Sequence, residues 1–548
     1  MGALTSFTSR VSATQKAPWF FSALGLLILS LALAWVSARE EIFQAWGTFF
    51  VSLLLGLGIM LIGWYAVKAD RNLSLPRWLG ILVLGAAILR LAAGAIWLKV
   101  LPVWGYGSPV EQAGYIMADA HARDKAAWEL SRSEVPLWDA FRGYRQVDQY
   151  GGLLYISAFC YRYLGGEVHY PLQMIVITAS ASALAVLFTW AFVRRASGEA
   201  PARVSAWLVA LFPEAILLGS SQMREAFTMP LVAAAMYGLV RYRQDRSWQG
   251  LAWVLFALIL CLPFSPAFAA ILLTILIVMA LAMDGWQAFR QPRLWLLLAG
   301  LAVLVGIGIW LAWGRIAPDG VSNPVALVSW WIKESTRWQA YFAKRTSELV
   351  KKIFRATPDW THVLILVGIG VLQPFLPAAL VDNAAPIWRG IAIWRALGWT
   401  IFLPFLLAVP FLAWGKNGWR GLAQGLSLVV WLGILLASLR SGGDTWDNPR
   451  YRVAFIGLQA ALVAWVWVEG RRQANPWLGR VAIAVGLMLI WFFPWYLHRY
   501  TSFNWPVTDL LQTIGLGVVS VGLYFLWSIT HQKRVEKEEE SIKSQRSK

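Results

Sequence analysis

Along most of this 548-residue chain the apolar residues do not alternate with polar ones; they run on, interrupted only by short polar connections. A helix that crosses the roughly 30 Å hydrocarbon core of a bilayer needs roughly 20 predominantly apolar residues. Candidate runs lie at 17–37, 44–67, 79–101, 172–193, 204–219, 226–240, 251–262, 267–283, 294–313, 362–381, 396–414, 422–439, 453–468, 481–497 and 507–529. Pro374 and Pro377 interrupt the 362–381 run, and proline removes backbone donors. That run therefore reads as a re-entrant or interfacial element, and the expected fold is an all-α, polytopic bundle of about fourteen transmembrane crossings.

Charge orients the bundle. With Arg10 and Lys16 cytoplasmic, the connections carrying Lys68, Arg71 and Arg77, then Arg194 and Arg195, then Arg241, Arg243 and Arg246, then Arg290 and Arg293 all fall inside, as the positive-inside rule requires. If 362–381 does not cross, Lys416/Arg420, Arg471/Arg472/Arg480 and the charged end also return to the cytoplasm. Both termini are then inside. The first run ends in Val36-Ser37-Ala38, a weak likeness to a cleavage site, but its apolar core is too long for a signal peptide and reads as an uncleaved anchor.

The chain then divides into two N-terminal spans (1–78), a membrane module (79–313) with an outside loop at 102–170, a second outside loop (314–395), C-terminal spans (396–530) and a charged cytoplasmic tail (531–548) read as solvated and partly disordered. Both outside loops mix Trp and Tyr with Lys and Arg, as amphipathic helices at a headgroup surface do. No internal repeat is visible.

Composition agrees: 58% of residues are hydrophobic and 14% charged, against roughly 25% charged in soluble domains. The net charge of +19 sits mostly in short connections between spans, which argues against a nucleic-acid partner. Cys160 and Cys261 belong to no cysteine cluster. Five histidines are scattered, and no nucleotide-binding, zinc-protease or serine-hydrolase motif is present.

Chemistry concentrates at outside helix ends. In "YIMADAHARDKAAWEL", Asp119 and Asp124 stand five apart, about 140° around a helix, so they do not share a face; they are either solvated loop acids or one of them faces a site. In "LFPEAILLGSSQMREAF", Glu214 lies inside a span, where an acid faces a polar cavity or a partner, and Arg90 on the third span is a candidate partner. Arg224 and Glu225 occupy the short turn that follows. In "RSGGDTWDNPRYRVAF", glycines and a proline shape an irregular loop bearing Asp444, and Arg450 and Arg452 precede a span. Those arginines either snorkel to the interface or hold a lipid phosphate in bidentate geometry.

Taken in order, "LRL" before "DAHARDKAAWEL", then "YGGLLYISAFCYRYLGG" and "LVALFPEAILLGSSQMREAF", then "GGDTWDNPRYRVAF", the chain resembles bacterial GT-C fold glycosyltransferases. These are polyprenyl-phosphate-dependent membrane enzymes that include protein mannosyltransferase-like and aminoarabinose transferase-like proteins. The likeness covers 79–313 best. It implies that Asp119 is a catalytic base, that Glu225 is a second acid in the site, and that Arg450 and Arg452 bind the donor phosphate. It also implies a polyprenyl-phosphate sugar as donor, a lipid, glycan or protein as acceptor, and an active site on the outer face of a cytoplasmic membrane. The two spans before residue 79 depart from the family's usual start, and "SWWIKE" at 329–334 is not the WWD motif of oligosaccharyltransferases.

A lipid-phosphate sugar already carries its leaving group. The protein has to bind phosphate, exclude water and deprotonate an acceptor hydroxyl. No cofactor is required, although oxygen ligands at Asp119 and Glu225 suit Mg²⁺ or Mn²⁺. The competing classes are an O-antigen polymerase or ligase type enzyme, with its working residues confined to 440–452, and a transporter of lipid-linked glycans, expected to show inverted repeats.

Overall fold

The structure is a computed structural model that describes residues 13–284, 292–346, 348–413, 421–473 and 475–546. The basic positions Arg10, Arg290, Lys416 and Arg420 lie outside the described residues. Every regular element among them is helical, as a long apolar chain demands when its backbone has no water to bond.

Three long helices open the chain, α1 (Ala13–Ser37), α2 (Ile42–Lys68) and α3 (Arg77–Trp104). The segment between α3 and the next long helix folds into α4 (Pro109–Gln112), α5 (Ala118–Arg132), a 3-10 turn at Leu137–Phe141 and α6 (Gly152–Leu164). Next come α7 (Pro171–Ser197), α8 (Glu199–Leu211), α9 (Pro213–Gly219), α10 (Glu225–Asp245), α11 (Trp248–Cys261), α12 (Pro266–Asp284) and α13 (Pro292–Leu311). The second loop holds α14 (Trp313–Ile316), α15 (Pro324–Thr346), α16 (Glu348–Ala356), α17 (Asp359–Leu372) and α18 (Leu376–Leu380). The chain ends with α19 (Pro386–Ala413), α20 (Leu422–Ser441), α21 (Asp447–Val453), α22 (Ile456–Arg472), α23 (Pro476–Tyr500) and α24 (Leu510–Arg546).

Among the described residues eight helices are long and apolar enough to cross a membrane, or ten if two bent pairs each count as one span. The bent pairs are α8 with α9, at 53°, and α21 with α22, at 76°. The first bend corrects the expectation of one continuous span over 204–219: Pro213 cannot donate to residue 209, so the helix ends at Leu211 and restarts in a new direction. The 362–381 run is likewise two helices, α17 and α18, separated at the Gln373–Pro374 bond. The tail departs from the disordered end expected from its charge, because α24 continues unbroken to Arg546. Lys, Glu, Gln and Arg dominate that segment, and all are good helix formers.

The core is organised around α7, whose apolar window is 94% buried, whereas those of α23 and α24 are 11% buried and present their sides outward. α10 packs along α7 and α11 and is buried over most of its length. Its two ends have opposite characters. At its C-terminal end Arg195 bonds Asp70 (2.7 Å) and Asp245 (2.7 Å), and the Tyr237 hydroxyl donates to Asp70 (2.7 Å). This network ties together the C-terminal ends of α2, α7 and α10. About 31 Å away along the 21-residue helix, at 1.5 Å per residue, the N-terminal end of α10 meets α5 and α21.

Candidate functional site

Three carboxylates from distant parts of the chain meet one guanidinium at that N-terminal end. Arg450 on α21 donates from Nε to Glu225 (2.8 Å) and from Nη1 to Asp119 (3.2 Å), and Nη1 lies 3.5 Å from Asp447. Asp119 and Glu225 each stand in the first turn of a helix, α5 and α10, where unpaired backbone N–H groups favour an anion. Their exposure differs in a useful way. The Asp119 side chain is 59% exposed, whereas that of Glu225 is 12% exposed, with Oε2 buried and without a partner among the described residues. The planar fork of arginine lets one side chain serve several acceptors at once.

Two further residues tie this centre to its frame. Arg123, one helical turn beyond Asp119 and so on the same face, is buried and donates to the Gln222 carbonyl (2.8 Å) in the turn before α10. Burial pulls its pKa below the usual arginine value, against the opposing field of Asp148. Asp148 is also buried, lies 3.7 Å from both Arg123 and Arg224, and accepts from the Leu154 amide (3.0 Å) at the start of α6. Arg224 lies over the Tyr150 ring, 5.3 Å from its centroid. The glycine pair of "YGGLL" makes this possible: Gly151 has φ +86°, and a Cβ on Gly152 would meet the Pro263 carbonyl oxygen at 2.3 Å.

Asp124 faces away from the centre. It is buried and accepts from the hydroxyls of Tyr115 and Tyr161, with His169 Nε2 at 2.9 Å. It fastens α5 to α6 and to the start of α7, and the two aspartates point apart as their five-residue spacing predicts. Asp444 is a turn residue whose Oδ1 accepts from the Trp446 and Asp447 amides (both 2.7 Å) at the head of α21.

The suggested pair of Arg90 with Glu214 does not form. Arg90 is fully buried and donates to the carbonyls of Ala86 (3.0 Å), Val209 (3.2 Å) and Ala210 (3.4 Å). The break at Pro213 leaves the last carbonyls of α8 without helical donors, and Arg90 satisfies them. Glu214 instead pairs with Arg395 of α19, whose Nε lies 2.7 Å from Oε2. Arg395 also donates to the Thr445 carbonyl (2.9 Å) and sits 4.1 Å from the Trp446 ring centroid.

Arg452 is turned away from Arg450, as residues two apart on a helix must be. It is buried, lies 3.8 Å from the Trp399 ring centroid and donates to the Gln373 carbonyl. Asn448 donates to the carbonyls of Gly370 (3.0 Å) and Gly442 (2.8 Å). Together with Arg395, these contacts pin α21 from behind and present Arg450 to the acids. Only one of the two late arginines therefore joins the site.

An Mg²⁺ or Mn²⁺ ion bound between Asp119 and Glu225 would have to displace the Arg450 guanidinium, which already joins them. Among the described residues no group of three or more His, Cys, Asp or Glu side chains is placed to hold a metal ion.

Asp447, Arg123, Asp148 and Arg395 were not singled out from sequence. Asp447 carried a readable signal, three residues before Arg450 on one helix face, as did Arg123, four after Asp119. Asp148 and Arg395 act through partners in other elements, and no local spacing announces them.

Residues 163–313 match the family described as dolichyl-phosphate-mannose-protein mannosyltransferase. The match covers α7 to α13 and includes Glu225, and it places the expected likeness to lipid-phosphate-dependent membrane glycosyltransferases in the part of the chain where it was strongest. Among solved structures, an oligosaccharyltransferase from Archaeoglobus fulgidus, AglB, in complex with an inhibitory peptide and a dolichol-phosphate, is similar at 13% identity and a TM-score of 0.36. That likeness covers 81% of this chain and 56% of that one, so the chain spans little more than half its length. It is remote and carries no residue assignment. No curated protein matches the sequence.

Proposed function

We propose that this protein is a membrane glycosyltransferase that moves a sugar from a polyprenyl-phosphate donor to a lipid, glycan or protein acceptor at the outer face of a cytoplasmic membrane. The observation that carries the reading is the contact of Asp119, Glu225 and Arg450. These residues come from the three stretches that resemble GT-C enzymes, and one of them, Glu225, lies in the segment that matches a lipid-phosphate mannosyltransferase family.

The chemistry follows from the exposures. Asp119, the most open acid, takes the proton of the acceptor hydroxyl. The acceptor oxygen attacks the sugar's anomeric carbon, whose bond to the phosphate oxygen breaks. Arg450 neutralises the charge that grows on the departing phosphate. Glu225, held against Arg450 Nε, orients the guanidinium and leaves its Nη edge to turn from carboxylate to phosphate. Arg452 is a positioning residue for α21 in this reading.

The bundle crosses about fourteen times with both termini inside, and helices α14 to α18 lie at the outer interface. The gathering of the basic ends of α2, α7 and α10 opposite Arg450 supports that orientation, because such ends stay cytoplasmic. The Asp119–Arg450 contact supports an early loop and a late turn acting together, over an enzyme whose late loop works alone.

The test is mass spectrometry of lipid-linked sugars from cells with wild-type protein or Asp119→Asn at equal expression. Accumulation of a polyprenyl-phosphate sugar with loss of an external glycan is expected, and the accumulated lipid names the donor. Matching profiles would return Asp119 to a surface role.

A further inference from the structure

At the far end of α22 from Arg450, a cleft of about 450 Å³ opens between α19, α22 and α23. The 17 residues of α22 put about 25 Å between this cleft and the site above. Its walls are apolar: Pro404 and Phe405 on α19 and Trp467 on α22, with Phe405 and Trp467 in edge contact at 6.0 Å. Gly479 on α23 leaves the floor open, since a Cβ there would meet nothing within 4 Å. The cleft's surroundings face outward; Ile401 is 58% exposed and Ile483 47% exposed.

One rim is cationic. Arg471 is exposed and lies with its guanidinium 3.5 Å from the Trp467 ring centroid. Stacking on an aromatic face leaves the edges of a guanidinium fork free to donate. The neighbouring cations are already engaged, Arg472 with Glu469 at 3.7 Å and Arg480 with Ser528 at 2.8 Å and Gln532, whereas among the described residues Arg471 meets no carboxylate. A basic rim above an apolar slot, at the end of an apolar helix, has the pattern of a lipid headgroup pocket.

We propose that this cleft is a binding site for an anionic phospholipid, with one acyl chain between α19 and α23 and the headgroup phosphate on Arg471. The volume lies within the range of ligand pockets. The site is separate from the transfer centre and stands whether or not the function above holds.

The full-length protein, purified in detergent, would be titrated with phosphatidylglycerol and with phosphatidylcholine of identical chains, and bound lipid counted by native mass spectrometry. Wild type is expected to prefer phosphatidylglycerol. Arg471→Gln should weaken phosphatidylglycerol binding by about tenfold, the scale of one charge-assisted hydrogen bond, and bring it level with phosphatidylcholine. Gly479→Leu, which fills the slot, should weaken both lipids. Gly515→Leu on α24, where a Cβ also meets nothing within 4 Å, should change neither. Equal retention of the two lipids by wild type overturns the headgroup assignment, and wild-type binding by Gly479→Leu overturns the cleft.

Discussion

The buried pair of Glu214 and Arg395 gives the strongest energetic prediction, because its cost is set by burial on both sides. Each residue is 4% exposed. Replacing Arg395 by Met leaves the Glu214 carboxylate without its partner, and breaking a buried pair from one side costs about 3–5 kcal/mol. The same change removes the bond to the Thr445 carbonyl and the stacking on Trp446. Glu214→Gln costs less, since an amide oxygen still accepts from Arg395 while the contacts to Thr445 and Trp446 persist. Glu214→Gln with Arg395→Met removes both charges and should recover about 1–3 kcal/mol relative to the sum of the single changes. Denaturant unfolding of the four proteins, each in the same detergent, measures the cycle. Strict additivity would refute the reasoning, as would a larger loss from Glu214→Gln than from Arg395→Met. Turnover should follow the same order, because the turn that Arg395 holds carries α21 and Arg450.

Two further outcomes are expected. Glu225→Gln should lower turnover by about 10- to 100-fold, the value of one charge-assisted hydrogen bond of roughly 1.5–3 kcal/mol expressed as a rate, with Asp119→Asn additive to it only in part; transfer assays on the two single variants and the double check this. Glu111, on α4, is pushed up by burial but pulled down further by bonds from the Tyr106 and Ser108 amides and the Trp388 indole, so that its pKa falls to about 2. Its folded pKa is depressed, so its stabilisation is fully present above the ordinary glutamate range and fades as pH falls toward 2. The stability gap between wild type and Glu111→Gln should therefore be widest near neutral pH and close in acid; a constant gap would exclude the ionised carboxylate as its source.

The helices and the three chemical stretches were legible because each rests on local information: long apolar runs and the charged residues gathered at their ends. Asp119, Glu225 and Arg450 stood at helix ends that one topology put on the same side, which allowed their meeting without specifying it. The choice of partners did not. Arg90 faced both an acid and a row of orphan carbonyls, and the break at Pro213, whose angle no run length encodes, decided for the carbonyls. Arg452 looked equivalent to Arg450 until the direction of α21 was known. The tail looked disordered by charge alone, although its helix-forming residues simply extend α24.

The three carboxylates around Arg450 also bear on which molecules can reach it. Carboxylates outnumber the guanidinium among its immediate partners, so a bare phosphate ion arriving from water has to displace acids that already hold Arg450. In the proposed reading, a phosphate delivered on a long hydrocarbon arrives with affinity drawn from the bilayer, and the acids give way to it. Discrimination against soluble anions would then be a property of the approach, since solutes that lack an anchor bring no bilayer affinity to set against the carboxylates that hold the arginine at rest.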